Sequence, residues 1–465
     1  MYRAKKNRQR IVIIILSIIL VITCLVTGWL VMNSLSNTNE GQVESSQGVD
    51  HLSSNEESEK ENQPEDEQEP LSEPLLGLTE KETFEETFTP KEGEFILRSV
   101  GDLLIHDRIS NLANIEHPIH QEAIAQLEKE GIDVNSISVE DFGDSETHYD
   151  FAPMLAKITP YTEYADATIA NLEVIAAYPD LPVSDYPQFN APNTILTNIK
   201  KMGVDIVSNG TNHTLDYYSE GALLSIKHIK EADLMYVGSY ESFEDQQTPR
   251  VIDKNGIKVG FLTYSYGTNG IPVEAGKEYT ISLVDIDRMV KEVRELDEIV
   301  DAVVVTLQLG QEYDTLPDDN QRFVFEMLSE AGTKLILGGH PHVLQPMDWY
   351  NNNQTFAIYS QASFLSGQER ADNKQGGITE VTFKRQEDGE VVVANPKFMP
   401  TYIFGAPEEQ MYEVVPYADF AKYGIPDGQA WWDTIKARMT TYTDEFKYVT
   451  HLETSKTIEE ENKYR

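Results

Sequence analysis

The chain has a single cysteine in 465 residues, Cys24, which excludes an intramolecular disulfide and any cysteine-built zinc module. It is also poor in positive charge: 37 Lys and Arg stand against 78 Asp and Glu, a formal charge of -41. So negative a field disfavours binding to nucleic acid, and no nucleic-acid partner is expected. No Gly-x-x-x-x-Gly-Lys-Ser/Thr loop is present to cradle nucleotide phosphates, so polymer synthesis driven by nucleotide activation is not a solo activity of this chain. Internal repeats are absent as well.

Long hydrophobic runs are confined to one place. "MYRAKKNRQR" carries five basic residues and no acidic one, and Ile11 to Met32 then follow as 22 residues without a charge. About 20 apolar residues suffice to cross a bilayer core as a helix. A cleaved signal peptide is the competing reading. The run is longer than a usual h-region, however, and no small-x-small cleavage site follows Met32. Residues 1–10 are therefore expected in the cytoplasm, 11–32 as an uncleaved membrane anchor, and the rest outside the cell. That is a single-pass type II protein of the cell membrane, with Cys24 inside the bilayer.

Residues 33–93 are expected to form an acidic, disordered tether. Between Asn37 and Glu92 there are 17 acidic residues and 3 lysines, with little to bury. Such a segment cannot offset its ordering entropy. It reads as a solvated spacer rather than as a mimic of an acidic polymer.

Apolar strand patterns begin near Glu94 with "FILRSVG" and recur at 167–174, 203–210, 258–267, 301–310, 333–339 and 354–364. Helical patterns such as "SEGALLSIKHIKEA" and "QRFVFEMLSEAG" lie between several of them. Strand-helix alternation predicts an α/β domain with a mostly parallel sheet, whose site lies beyond the carboxyl ends of the strands. The segment "ITEVTFKRQEDGEVVVANPKFMPTYI" predicts a hairpin turning at Asp388-Gly389.

Polar residues collect at those strand ends: Asp102 and His106 in "SVGDLLIHD", Glu173 in "NLE", Asn212 and His213 in "TNHTLDY", and His340 and His342 in "GGHPHVLQP". Residues i and i+2 of an extended chain point to one side, so His340 and His342 would converge just past their strand. Carboxylates with imidazoles are a usual donor set for divalent Mn, Fe or Zn. Each residue alone has an ordinary reading, as turn, cap or surface group. Their recurrence at separate strand ends argues for a metal site.

The motifs "GD" (101–102), "NLE" (171–173), "TNHTLDY" (211–217), "GQEYD" (310–314), "GGHPHVLQP" (338–346) and "AIYSQASFLSGQ" (357–368) come in the order found in one family. On these residues the chain resembles the CapA family of capsule biosynthesis proteins, associated with poly-γ-glutamate. That family is similar to the calcineurin-like metallophosphoesterases. The resemblance covers roughly 94–405, leaving 406–465 as a C-terminal helical extension. It implies a layered α/β/β/α sandwich and one or two divalent ions. It also implies an anionic capsule polymer and other membrane capsule-synthesis proteins as partners.

Carried over, Asp102, Glu173, Asn212, His340 and His342 would be metal ligands, with Gln308 at a further ligand position. His213, with Asn212, would be the acid or phosphate-contacting group, with Asp216 or Glu173 orienting the histidine. Glu312 and Tyr313 would touch the polymer, Tyr313 reading equally well as a core residue. His106 would be a ligand, a group behind the ligands, or a surface histidine.

Three departures from the family pattern stand out. Gln308 occupies a histidine position, Thr211 replaces an asparagine, and Ala362-Ser363 replace Gly-Asn. Glutamine is a weak neutral ligand and no acid or base. Two functions follow: a metal-dependent hydrolase of a phosphoester or polymer linkage, or a non-catalytic scaffold for capsule polymer with a degenerate site.

Overall fold

The computed structural model describes residues 92–455, apart from 144 and 408. The expected cytoplasmic terminus (1–10), the anchor (11–32) and nearly all of the tether (33–93) lie outside the described residues. Among the described residues no helix is long and apolar enough to cross a membrane.

The first strand, Glu94–Leu104, is buried along almost its whole length. Its residues alternate between two environments. Phe95 and Leu97 face a core shared with Phe261, Val304 and Leu337, whereas Val100 faces a helix-lined core with Ile195, Ile199 and Ile226. This double burial explains why the segment reads as a continuous apolar run.

Two mixed sheets result. In the first, the order is Gln410–Pro416, Val391–Ala406, Gln375–Arg385, Glu94–Leu104, Ala167–Leu172, Ile206–Ser208, Met235–Val237. Pairing is parallel from Glu94–Leu104 to Met235–Val237 and antiparallel on the other flank. In the second, the order is Leu344–Tyr350, Thr355–Gln361, Leu335–Gly339, Ala302–Gln308, Ile257–Ser265, Arg250–Lys254. Its four inner strands are parallel and its two outer ones antiparallel. One core lies between the sheets. A second packs the helices Thr194–Lys201 and Tyr218–Glu231 on the first sheet, and a third packs Ile286–Asp297 and Asp319–Ala331 on the second. The expected mixed α/β layering is present. The parallel sheet of the sequence reading is instead two sheets, each finished by antiparallel strands, because hairpins rather than crossover helices connect the outer strands.

The tail after residue 406, expected to be helical, also contributes strand: Gln410–Pro416 and Lys447–Tyr448 both pair with Val391–Ala406. Its helix Gly428–Met439 sends Trp432, Ile435 and Met439 into the inter-sheet core. The tail therefore completes the first sheet.

The first strand also buries a positive charge completely. Arg98 sits directly across from Glu380 in the antiparallel register, with Nη2 at 2.6 Å from its carboxylate. Lys397 lies 3.0 Å from the other Glu380 oxygen, and Arg98 also donates to the backbone carbonyls of Tyr161 and Glu453. Burial alone would raise the Glu380 pKa, but Arg98 and Lys397 outweigh it and hold the carboxyl below its usual value. A depressed carboxylate stabilises the fold above its unfolded pKa and loses that stabilisation as pH falls through the folded value. Arg98→Met should therefore lower the unfolding free energy by about 3–5 kcal/mol in urea titrations. Glu380→Gln should flatten the pH dependence of stability below the ordinary glutamate pKa of 4.5.

Candidate metal centre

The site lies where the strands of both sheets end. In the first strand the register shifts between Val100 and Asp102, so Gly101 forms a bulge. Without that extra residue, Asp102 would point with Arg98 and Val100 to the helix side; with it, Asp102 turns to the inter-sheet side opposite Asn171. Only glycine fits there, since a Cβ on Gly101 would lie 1.9 Å from the Ala362 carbonyl oxygen. The Asp102 N–H donates to that same carbonyl at 2.8 Å. Ala362 holds φ at 57°, a region that glycine enters more freely.

Glu173 follows Ala167–Leu172, Gln308 ends Ala302–Gln308, and His340 and His342 follow Leu335–Gly339. The histidines do converge, with ring centroids 5.9 Å apart. The extended backbone expected for them is not what brings them together. His340 and His342 have φ of 92° and 56°, so both are left-handed turn residues beyond the strand. Gly339 leaves the room they need, because a Cβ there would stand 2.7 Å from Gln308 Oε1 and 3.0 Å from Asp102 Oδ1.

Glu173, His340 and His342 each offer an atom within 4.8 Å of the others. Glu173 is fully buried, and neither of its oxygens has a hydrogen bond of good geometry among the described residues, although Asp102 and Gln308 stand close enough to act on it. Burial, then the neighbouring Asp102 charge, pushes its pKa well above the ordinary glutamate range. His340 Nδ1 is likewise buried and unpartnered. Burial, then the nearby His342, lowers the His340 pKa to about 3, so the imidazole is neutral with a lone pair to give. His342 Nδ1 stands 3.0 Å from Asp102 Oδ2 and 3.6 Å from Glu173 Oε2. Buried acceptors left open beside the neutral His340 ring and within reach of His342 are what a divalent cation would satisfy, so this donor set fits one.

Asp102 is itself occupied on both sides, by His342 and by Asn171 Nδ2 at 2.7 Å. Asn171 also reaches Gln308 Oε1 at 3.2 Å, and Gln308 Nε2 reaches Asn212 Oδ1 at 3.3 Å. An unbroken amide chain thus runs from Asp102 through Asn212 to Asn269, whose Nδ2 lies 3.4 Å from His213 Nδ1 and 3.5 Å from His213 Nε2. Gln308 and Asn212 spend their polar atoms on neighbouring side chains here. Asn171 was within the quoted "NLE", but its role depends on a partner 69 residues away.

His213 Nδ1 lies 2.7 Å from Asp216 Oδ2, and Asp216 is fixed in turn by the Phe189 N–H at 2.6 Å. Of the two expected orienters, Asp216 is the one that makes the contact. His106 is buried behind this group. Its Nδ1 lies 2.9 Å from the Leu104 carbonyl and 3.1 Å from the Gly367 nitrogen, and burial lowers its pKa. Phe189 stands edge-on between the His106 and His213 rings. His106 is thus outside the Glu173–His340–His342 group and is no surface residue. At the rim, Tyr266 packs on His340 with centroids 4.5 Å apart and Tyr313 on His342 at 6.3 Å. Glu312 is exposed, and Tyr313 is 37% exposed, so its core reading does not hold. Tyr266 carried no motif that would have singled it out.

Residues 97–368 match the family described as bacterial capsule synthesis protein PGA_cap, more than half of the chain, and the chain belongs to that family. Among its relatives, capsule biosynthesis protein CapA of Bacillus anthracis is 28% identical over 245 residues, 51% of this chain and 58% of that protein. PGA biosynthesis protein CapA of Bacillus subtilis (strain 168) is 27% identical over 240 residues, 50% of this chain and 61% of that one. The matched stretch spans less than two thirds of either relative. Solved structures similar to this chain include the calcineurin-like phosphoesterase YfkN from Bacillus subtilis, with 13% identity, a TM-score of 0.36, and coverage of 74% of this chain and 98% of that one. A putative 5'-nucleotidase from Staphylococcus aureus gives 12% identity, a TM-score of 0.39, and coverage of 74% and 58%.

A carboxyl with a raised folded pKa favours the fold at low pH and loses that contribution as pH rises through the folded value. Without metal, Glu173→Gln should therefore be at least as stable as the wild type at neutral pH. Adding Mn or Zn should raise the melting temperature of the wild type and leave that of Glu173→Gln unchanged, as read by calorimetry.

Proposed function

We propose that this chain serves the assembly or export of an anionic capsule polymer, poly-γ-glutamate, through a divalent-metal centre on an extracellular domain. Residues 11–32 would hold it in the cell membrane as a single-pass type II protein, beside other membrane capsule-synthesis proteins. The observation that carries the reading is the Glu173–His340–His342 group, with three buried acceptor atoms left open. These three residues would hold one ion of Mn, Fe or Zn, and Asp102 would support His342 from behind through its Nδ1. Once bound, the ion would supply positive charge that polarises a phosphoryl or carbonyl oxygen. The rest falls to the protein's own groups. Asp216 accepts from His213 Nδ1 and so fixes the ring, leaving Nε2 as the atom that can pass a proton to a leaving group. Asn212, held by Gln308, can orient an oxygen of the substrate. The activity is then hydrolysis of a phosphoester or of a linkage in the polymer.

One observation favours a second reading. Gln308 and Asn171 fill with hydrogen-bonded amides the place where a further imidazole ligand is expected from the family pattern. In that reading the domain binds and tethers polymer without turnover.

Elemental analysis of the full-length chain in detergent separates these outcomes. One ion per chain, lost in the His340→Ala/His342→Ala variant, is expected. With that ion loaded, hydrolysis of a chromogenic phosphodiester or of γ-linked glutamate oligomers should fall by about 10²-fold or more in His213→Gln. A loaded protein with no hydrolysis of either would leave the scaffold reading, and a wild type that takes up no ion would end the metal-centre reading.

A further inference from the structure

We infer that Arg370, lying on the ring of Tyr313, is the residue that recognises an oxyanion of the ligand at the mouth of the metal centre. The inference rests on the metal-centre reading above and names a specificity-determining residue for it. A chain with 78 acidic and 37 basic residues cannot attract an anion by its overall field. A local cation must do so, and five of the nine arginines among the described residues are engaged by carboxylates, while Arg322 lies on the Tyr442 ring. Arg98, Arg250, Arg288, Arg385 and Arg438 each have a carboxylate within salt-bridge distance. Arg370 differs. It is exposed, and among the described residues no carboxylate pairs with it; its contact is the Tyr313 ring, 4.5 Å from guanidinium carbon to centroid.

Its position is tied to the metal loop from two directions. Tyr313 donates its backbone N–H to the carbonyl of Pro341, between the two histidines, at 2.8 Å and holds φ at 68°. That fixes the phenol ring beside His342 and so fixes the platform under Arg370. Arg370 also opens the short 3-10 turn Ala371–Lys374, whose Asn373 N–H donates to the Arg370 carbonyl at 2.9 Å. The Asn373 side chain, fully buried, donates to the His342 carbonyl at 2.8 Å. Asp372 of the same turn pairs with Arg438 at 3.2 Å, which ties the turn to the helix Gly428–Met439. One turn therefore grips a candidate metal ligand and carries the guanidinium.

A guanidinium held over an aromatic ring keeps N–H donors with which to meet an anion. Two parallel donors match a carboxylate or a phosphoryl group, which lysine cannot do with the same geometry. Glu312, exposed beside Tyr313 and hydrogen-bonded to its hydroxyl, is the opposing charge at this rim. The site thus selects a ligand that presents a two-oxygen anionic group near the centre: a side carboxylate of the polymer, or the phosphoryl of a phosphoester. Arg370 lies just past Gln368, where the family match ends.

The test is calorimetric titration of the Mn-loaded full-length chain with short γ-linked glutamate oligomers and, separately, with phenyl phosphate. Metal content is measured on the same samples. Arg370→Ala should weaken binding of one or both ligands by ~10- to 100-fold with metal content unchanged. Arg370→Lys should recover only part of the loss. A loss confined to the oligomers identifies the carboxylate as the group recognised, and a loss confined to phenyl phosphate identifies the phosphoryl. Wild-type affinity in Arg370→Ala for both ligands overturns the inference. So does loss of metal from that variant, which would make Arg370 a support of the loop, and so does a loaded wild type that binds neither ligand. Should the wild type hold no metal, the metal-centre reading fails by itself, and the same comparison run without metal still decides the role of Arg370.

Discussion

A carboxylate shut away from water with no hydrogen bond of good geometry cannot keep its charge unless a cation stands beside it. Glu173 is in that position, and much of the surrounding architecture can be understood from it. The strands that deliver Asp102, Gln308 and the histidines all end within reach of it. The residues there divide into two sets. Asp102, Asn171, Gln308 and Asn212 satisfy one another, whereas Glu173 and His340 keep atoms open. A folded protein rarely leaves buried acceptors unsatisfied without a use for them.

Holding that arrangement requires exceptions to regular backbone. A bulge at Gly101 turns Asp102 inward, two histidines adopt left-handed turns, and Ala362 accepts a conformation better suited to glycine. These three sit where several strand ends meet, and the sheets behind them are densely apolar. The layered fold works as a stiff support, and the distortions at its rim aim the polar groups.

Much of this was legible in the sequence, for identifiable reasons. The apolar runs gave the strands, because burial on both faces removes any alternation that could mislead. Polar residues at the ends of those runs marked Asp102, Glu173, His340 and His342, whereas Gln308 was singled out only by the family resemblance. The His-Pro-His segment was recognised, though its convergence comes from turn geometry rather than from the period of an extended strand. What stayed hidden was non-local. Asn171 matters because of a cross-strand neighbour. The division into two sheets depends on which strands pair, which no single segment records. The strands Gln410–Pro416 and Lys447–Tyr448 escaped notice because a charged tail with two adjacent tryptophans resembles a helix until its partner strand is known. Arg98 did carry a signal, since an arginine inside "FILRSV" has to find a buried counter-charge.

That buried arginine has a consequence for accuracy. Arg98 and Glu380 face each other in one register alone; a slip of one residue would leave both charges stranded on opposite faces of the sheet. Mispaired strands are therefore penalised heavily at this point, before any ligand is involved. Asp102 lies four residues further along the same strand, about 13 Å away at the usual rise per residue. The ion pair acts as an alignment gauge during assembly, and the distant polar cluster inherits its tolerance.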